Sequence, residues 1–281
     1  MVLKISMNMI KERFMKFIRN KVYSALLSAS EKFELFDEED LRFWKEYRIL
    51  RKHVKRGKIN YILKWKGREY RLPINHFEMP VFFHKYGIDQ LPSAIVTRVE
   101  GKDFIDGGAF IGDSALVLSE LKPRRIYAFE PTYENFLLLK ETICLNRLSN
   151  VVPVKMALGT GKGKVSLFPY ASASFVSSIY GQHEGEEVEM TSVDEFVKEN
   201  KLEVGVIKLD VEGSESNVIV GAKETIKIYR PVLIVSLYHK GQDFFEIPRI
   251  VKELVPEYKL RFLNLNREHP TFERILLSYV G

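Results

Sequence analysis

Asp106-Gly107-Gly108-Ala109-Phe110-Ile111-Gly112-Asp113-Ser114 decides the fold. The apolar pair Phe104-Ile105 leads into it as a short strand, and a helix expected over about Asp113–Leu121 leads out. Glycines in such a turn let the backbone approach a ligand closely, and a helix N-terminus favours a carboxylate or phosphate. A glycine turn set between a strand and a helix is the usual nucleotide-side element of an open α/β sheet.

Strands and helices alternate outward from this turn. Arg125–Phe129 reads as the second strand, Tyr133–Asn146 as a helix, and Val151–Val154 as the third strand. Short strands joined by a Ser- and Gly-rich loop are expected from about Lys164 to Thr191, and Ser192-Val193-Asp194-Glu195 fits a capping box. Val204–Leu209 and Pro231–Val235 are the fourth and fifth strands, with helices from about Ser214 and near Ile247–Leu254. Apolar strands between helices predict a parallel sheet covered on both faces. Between Lys259–Leu263 and Arg274–Tyr279 no crossover helix fits, so this last pair should run antiparallel. The expected class is α/β, a Rossmann-like sheet of the class I methyltransferase kind, mostly parallel with an antiparallel C-terminal pair.

Upstream of the turn the pattern changes. Ile10, Phe14, Phe17, Ile18, Val22 and Leu26 recur at helical spacing among Lys11, Lys16, Arg19 and Lys21. Such a helix packs on the main domain or a partner; peripheral contact with an anionic membrane is the alternative. A second helix is expected over about Asp37–Arg56, acidic at its start and basic at its end, the order that complements a helix dipole. Tyr61–Trp65 and Glu69–Leu72 flank Lys66-Gly67-Arg68 as a small hairpin. Residues 1–98 are thus read as an N-terminal helical extension and 99–281 as the main domain.

Composition sets outer bounds. With 46% hydrophobic and 28% charged residues, the 281-residue chain has enough apolar surface to fold, which excludes general disorder. The single cysteine, Cys144, excludes a disulfide within the chain and points to a reducing compartment. No run approaches the ~18 apolar residues of a membrane span. Charge interrupts the N-terminus too early for a signal-peptide core, so a cytoplasmic location is expected. The net charge of +6 favours anionic partners, although most surface charge is simply solvated.

Glu130 ends the second strand about 20 residues after the glycines, where an acid can accept hydrogen bonds from both ribose hydroxyls. Gly107, Gly108 and Gly112 do not fit the dinucleotide spacing G-x-G-x-x-G. That spacing suits a ligand without a pyrophosphate, and S-adenosylmethionine fits, its ribose at Glu130 and its methionine end at the turn. Asp210, Glu212 and Glu215 follow the fourth strand on the ligand edge, where carboxylates orient a hydroxyl, take its proton or hold a cation. The bland alternative is that Glu212 and Glu215 complement the next helix. His239 follows the fifth strand on the same edge and suits proton transfer near neutral pH, although a lone histidine there is often only a surface residue.

Together these segments resemble the FkbM family of methyltransferases. The resemblance rests on Phe104–Ala109 with Gly112-Asp113-Ser114, Tyr127–Pro131, Ala157-Leu158-Gly159, Ser192-Val193-Asp194, Ile207–Glu215, Gly221-Ala222 and Arg230–Ile234. It implies an S-adenosylmethionine-dependent enzyme that methylates a hydroxyl of a small-molecule, sugar or glycan acceptor. By position it implies Asp106, Gly108, Asp113 and Glu130 on the cofactor and Asp210 and Glu212 at the transfer site. Gly107, Ser114 and Ala157 join the expected cofactor-binding set and His239 the expected catalytic set, with Asp210 or His239 as the candidate base. No metal site is assigned. Gly107 and Val193 depart mildly from the family's usual residues. Two alternatives remain at this stage. A nucleic-acid methyltransferase would carry an Asn/Asp-Pro-Pro-aromatic turn, which Asp210-Val211-Glu212-Gly213 is not, so nucleic acid is not the expected partner. A non-catalytic S-adenosylmethionine-binding protein is disfavoured by the intact carboxylates.

Overall fold

The computed structural model describes residues 49–50, 52–170, 173–176, 186–265 and 274–281. The chain divides into two compact units, 1–52 and 53–281. Residues 49, 50 and 52 of the first unit are helical; the expected basic helix over about Ile10–Leu26 and most of the one expected over Asp37–Arg56 lie outside the described residues.

The end of that second helix is corrected: Val54–Arg56 is a strand, β1. It pairs antiparallel with β2 (Tyr61–Trp65), which pairs antiparallel with β3 (Arg68–Leu72). A charge pattern that suits a helix dipole therefore yields here to sheet pairing, which gives the backbone another set of partners. Lys66 (φ 46) and Gly67 (φ 78) make the β2–β3 turn, the left-handed pair a two-residue hairpin needs.

The boundary expected at 98/99 falls inside the second compact unit. The reason is chemical. The Tyr70 hydroxyl donates to Glu120 at 2.6 Å, and Lys85 pairs with the same carboxylate at 2.7 Å. These contacts tie the hairpin and the helical turns over Met79–Gln90 to the segment behind the glycine turn. α1 (Ser93–Val99) then leads into the central sheet.

That sheet has seven strands in the order β13-β14-β12-β11-β4-β5-β6. Here β4 is Asp103–Gly107, β5 Arg125–Phe129, β6 Val151–Val154, β11 Val204–Leu209, β12 Val232–Ser236, β13 Lys259–Asn264 and β14 Arg274–Tyr279. Every neighbouring pair from β12 to β6 is parallel. β14 runs antiparallel to both β12 and β13, as the missing crossover predicts. All residues of β4, β11 and β12 are buried, so these strands show no alternation of buried and exposed positions, and the charged Asp103, Asp106 and Lys208 lie inside them. Ile105, Ile207, Leu209 and Leu233 pack beneath helices α5 (Glu215–Val220), α6 (Lys223–Tyr229) and α7 (Asp243–Leu254) through Val218, Ile226, Ile247 and Val251. Each such side chain contributes about 1.5–3 kcal/mol by leaving water.

On the near side α2 (Asp113–Leu118) follows the glycine turn and α3 (Tyr133–Asn146) follows β5. A smaller sheet takes up the expected short strands, in the order β7 (Ala157–Leu158), β10 (Glu186–Thr191), β8 (Gly163–Tyr170) and β9 (Ala173–Val176). The predicted capping box opens α4 (Val193–Asn200): Ser192 Oγ accepts from the Glu195 amide at 3.2 Å, and Glu195 accepts from the Ser192 amide at 3.3 Å. From β4 the chain builds outward to β5 and β6 on one side and to β11 and β12 on the other. The C-terminal ends of β4 and β11 therefore form the switch point at which open α/β sheets bind ligands.

Candidate active site

The glycine turn is held from below. Lys208 on β11 is 2% exposed, and its Nζ lies 3.1 Å from Asp106 Oδ1 on β4, itself wholly buried. The same ammonium donates to the Gly108 carbonyl at 2.8 Å and lies 3.4 Å from that of Gly107. Ser114 Oγ donates to the other Asp106 oxygen at 2.6 Å. Charge keeps Lys208 protonated: burial pushes it down, but Asp106, Asp210 and Asp113 outweigh this and hold it above its ordinary value. Gly108 has φ 71, and a Cβ there would stand 1.8 Å from the Asp210 carbonyl oxygen, so the position takes glycine only.

Three expectations change at this turn. The Gly108 and Ala109 amides donate to the Phe129 carbonyl at 3.1 and 2.9 Å, and the Phe110 amide to Glu130 at 3.0 Å. These amides stitch the turn to β5 and are not open to a ligand's carboxylate. Asp106 and Ser114 are buried beneath the turn and do not line the cavity, and Gly107 serves close packing against Leu209 and Leu158. All three support the turn rather than face a ligand.

Above the turn lies a cavity of about 310 Å³. Gly108, Asp113, Glu130 and Ala157 line it, together with Asp210 and Glu212, so most of the site residues expected from sequence meet there. Glu130 is 5% exposed and already organised, accepting from the Phe110 amide and from the amide and hydroxyl of Thr132, at 3.0 and 2.6 Å. Burial raises the Glu130 carboxyl above the ordinary value, while the bonds from Thr132, Phe110 and Asn135 work against that. Asp113, at the start of α2, is raised to about 6, chiefly by burial and against the pull of His76 and Lys208. Phe129, Met156, Ala157, Leu158 and Leu167 give the cavity an apolar wall.

A second group gathers at the ends of β11 and β12. The Tyr238 hydroxyl donates to Asp210 at 3.1 Å. His239 Nε2 lies 3.2 Å from Glu212 and 3.6 Å from Asp210, and its Nδ1 lies 2.8 Å from Glu215. Glu215 also accepts from the Val211 amide at 2.9 Å, closing the strand-to-helix turn in which Glu212 (φ 55) and Gly213 (φ 91) are left-handed. Burial pushes His239 down, but hydrogen bonds to Glu212 and Glu215 and the charge of Asp210 lift it to about 10. Both ring nitrogens face carboxylates, an arrangement that favours the protonated ring. Of the two bases expected from sequence, Asp210 lines the cavity and His239 does not.

Sequence reading passed over Lys208 as a functional residue, although a lysine inside Val204–Leu209, otherwise apolar, was a visible signal. His76, Glu78 and Tyr86 also line the cavity, from a segment with no motif of its own. Lys85 (φ 48), Tyr86 (φ 51) and Gly87 (φ 80) form a left-handed run, and the Tyr86 ring lies 5.7 Å from Lys208 Nζ.

In all, five acidic residues (Glu78, Asp113, Glu130, Asp210, Glu212) and two basic ones (His76, Lys208) line the cavity. This set fits S-adenosylmethionine, whose ammonium and sulfonium are cationic and whose ribose offers two donors. The FkbM methyltransferase from Methylobacillus flagellatus KT is similar in fold, with TM-score 0.50 and 21% identity over 64% of this chain and 44% of that one. The chain thus spans less than half the length of that relative. Weaker likenesses include SMU.1697c of Streptococcus mutans in complex with SAH, at TM-score 0.43 and 11% identity over 66% of this chain and 93% of that one. No curated protein matches the chain in sequence at a significant level. The family model for the methyltransferase FkbM domain matches residues 106–265, more than half of the chain, and the protein belongs to the FkbM methyltransferase family.

Proposed function

We propose that this methyltransferase is O-directed, acting on a hydroxyl of a small-molecule, sugar or glycan acceptor. The cofactor is S-adenosylmethionine, which supplies an electrophilic methyl group when bound. The observation that carries the reading is that Glu130, Asp113 and Asp210 line one cavity. Glu130 accepts from the ribose hydroxyls. Asp113, ionised by a neighbouring ammonium, holds the amino end of the methionine. Asp210, held by Tyr238 and flanked by the His239 cation, accepts the proton that the acceptor hydroxyl gives up. Fixing oxygen and methyl in attack geometry supplies on the order of 7–11 kcal/mol at best. The surplus of carboxylates also makes the cavity a poor seat for a phosphate-bearing polymer, which supports the small-molecule reading over a nucleic-acid one.

The test is calorimetric titration with adenosylhomocysteine, then a screen of sugars and glycan fragments for the mass gain of one methyl group. Asp210→Asn should keep its affinity for adenosylhomocysteine and lose turnover. Wild-type turnover by that variant on the true acceptor would remove Asp210 from the mechanism.

A further inference from the structure

We infer that Asp210, Glu215 and His239 form a site for one divalent transition-metal ion at the edge of the cavity. One ligand atom from each lies within 4.8 Å of the others. Ligands roughly 2.0–2.2 Å from a metal stand at most ~4.4 Å apart across it. Glu215 faces Nδ1 and Asp210 faces Nε2, so the ring must turn for one nitrogen to meet the ion together with both carboxylates.

The second observation is unmet polarity around this cluster. Glu215 is wholly buried, and while its Oε1 is bonded, its Oε2 has no donor among the described residues. Asp243, at the start of α7, is also wholly buried, and neither of its oxygens has a donor among the described residues. Its carboxyl is raised to about 6, chiefly by burial and then by the charge of Glu215, with Lys240 and His239 pulling the other way. Three carboxylates (Asp210, Glu212 and Glu215) thus lie within 3.6 Å of one imidazole. A buried carboxylate oxygen without a donor is costly unless a cation or proton compensates it. A dication that replaces the His239 proton adds one positive charge to the cluster and gives Glu215 Oε2 a partner. With one imidazole and oxygen donors the set suits manganese, iron or zinc better than magnesium or calcium, which prefer oxygen alone.

Asp210 belongs both to this cluster and to the cavity wall. An ion there would lower the pKa of an acceptor hydroxyl that reaches it. That consequence rests on the proposed O-methylation; the binding of the ion does not.

Manganese is the probe, titrated into metal-free protein and read by electron paramagnetic resonance. One ion per chain should bind saturably, and His239→Gln and Glu215→Gln should each weaken it by about 10- to 100-fold. Adenosylhomocysteine affinity reports whether each variant is folded. Should the buried variants fail to fold, Asp210→Asn, on a partly exposed side chain, must show the same loss. Absence of saturable binding to wild type, or equal binding by folded variants, overturns the inference. If manganese binds and adenosylhomocysteine does not, the site stands and the methyltransferase reading of the cavity falls; the reverse pattern removes only the site.

Discussion

The two loops that meet at the switch point are built in opposite ways. In the loop after β4 the charges are matched: Asp106 faces Lys208, Ser114 fills the remaining carboxylate oxygen, and three backbone amides are taken by Phe129 and Glu130. In the loops after β11 and β12 they are not: three carboxylates crowd one imidazole, and Glu215 Oε2 and both Asp243 oxygens have no donor among the described residues. The first loop is finished before any ligand arrives, so its shape is a property of the fold. The second still has binding capacity, so its shape depends on what it holds. A buried charge can therefore mark scaffold or function, and the number of partners it already has tells which.

The largest effect should come from breaking the finished loop. Lys208→Met leaves Asp106 buried and unpaired and should cost about 3–5 kcal/mol in denaturant unfolding. Adding Asp106→Leu should restore most of that stability. If the single variant is as stable as wild type, the two loops do not differ as described.

Gly108→Ala comes next. Its Cβ would collide with the Asp210 carbonyl, so the two loops must separate. Both thermal stability and adenosylhomocysteine affinity should fall; a variant that loses only affinity would show that Gly108 serves the ligand alone.

Asp113 sharpens the contrast through pH. Its carboxyl is raised from 3.8 to about 6 by burial, so between these values the folded state binds more protons than the unfolded one. Wild-type stability should therefore fall as pH rises through that window and level off above it. Asp113→Asn escapes this loss and should be more stable at pH 7 by roughly 1–3 kcal/mol, with no gain below about pH 4. It should also bind adenosylhomocysteine more weakly, so the same change would raise the melting temperature and lower affinity.

Tyr238→Phe should be the mildest. It removes one hydrogen bond to a partly exposed carboxylate, worth about 0.5–1.5 kcal/mol, and should slow turnover more than it shifts the melting temperature.

Much of this was legible in the residues. β5 and α3 run over the expected residues, and the Ser192 capping box forms as its spacing implies. These are signals carried by local periodicity and by side chains that reach their own backbone. The end of the helix expected over Asp37–Arg56 failed because strand pairing is non-local: nothing in Val54–Arg56 announces Tyr61–Leu63 as its partner. In the site, Glu130 and Asp210 could be placed because strand ends fix them. Whether Gly108's amide is free, or His239 charged, depends on contacts between segments far apart in the chain, such as Phe129 with the turn and Glu215 with the ring.

The double use of Glu120 has a practical corollary. Tyr70 and Lys85 both anchor there, and the stretch they bracket brings His76, Glu78 and Tyr86 to the cavity. A shortened protein begun at residue 99, where the motifs start, would discard one side of its own binding chamber and leave Glu120 half-buried without its counter-charge. Expression trials should instead keep everything from His53 onward.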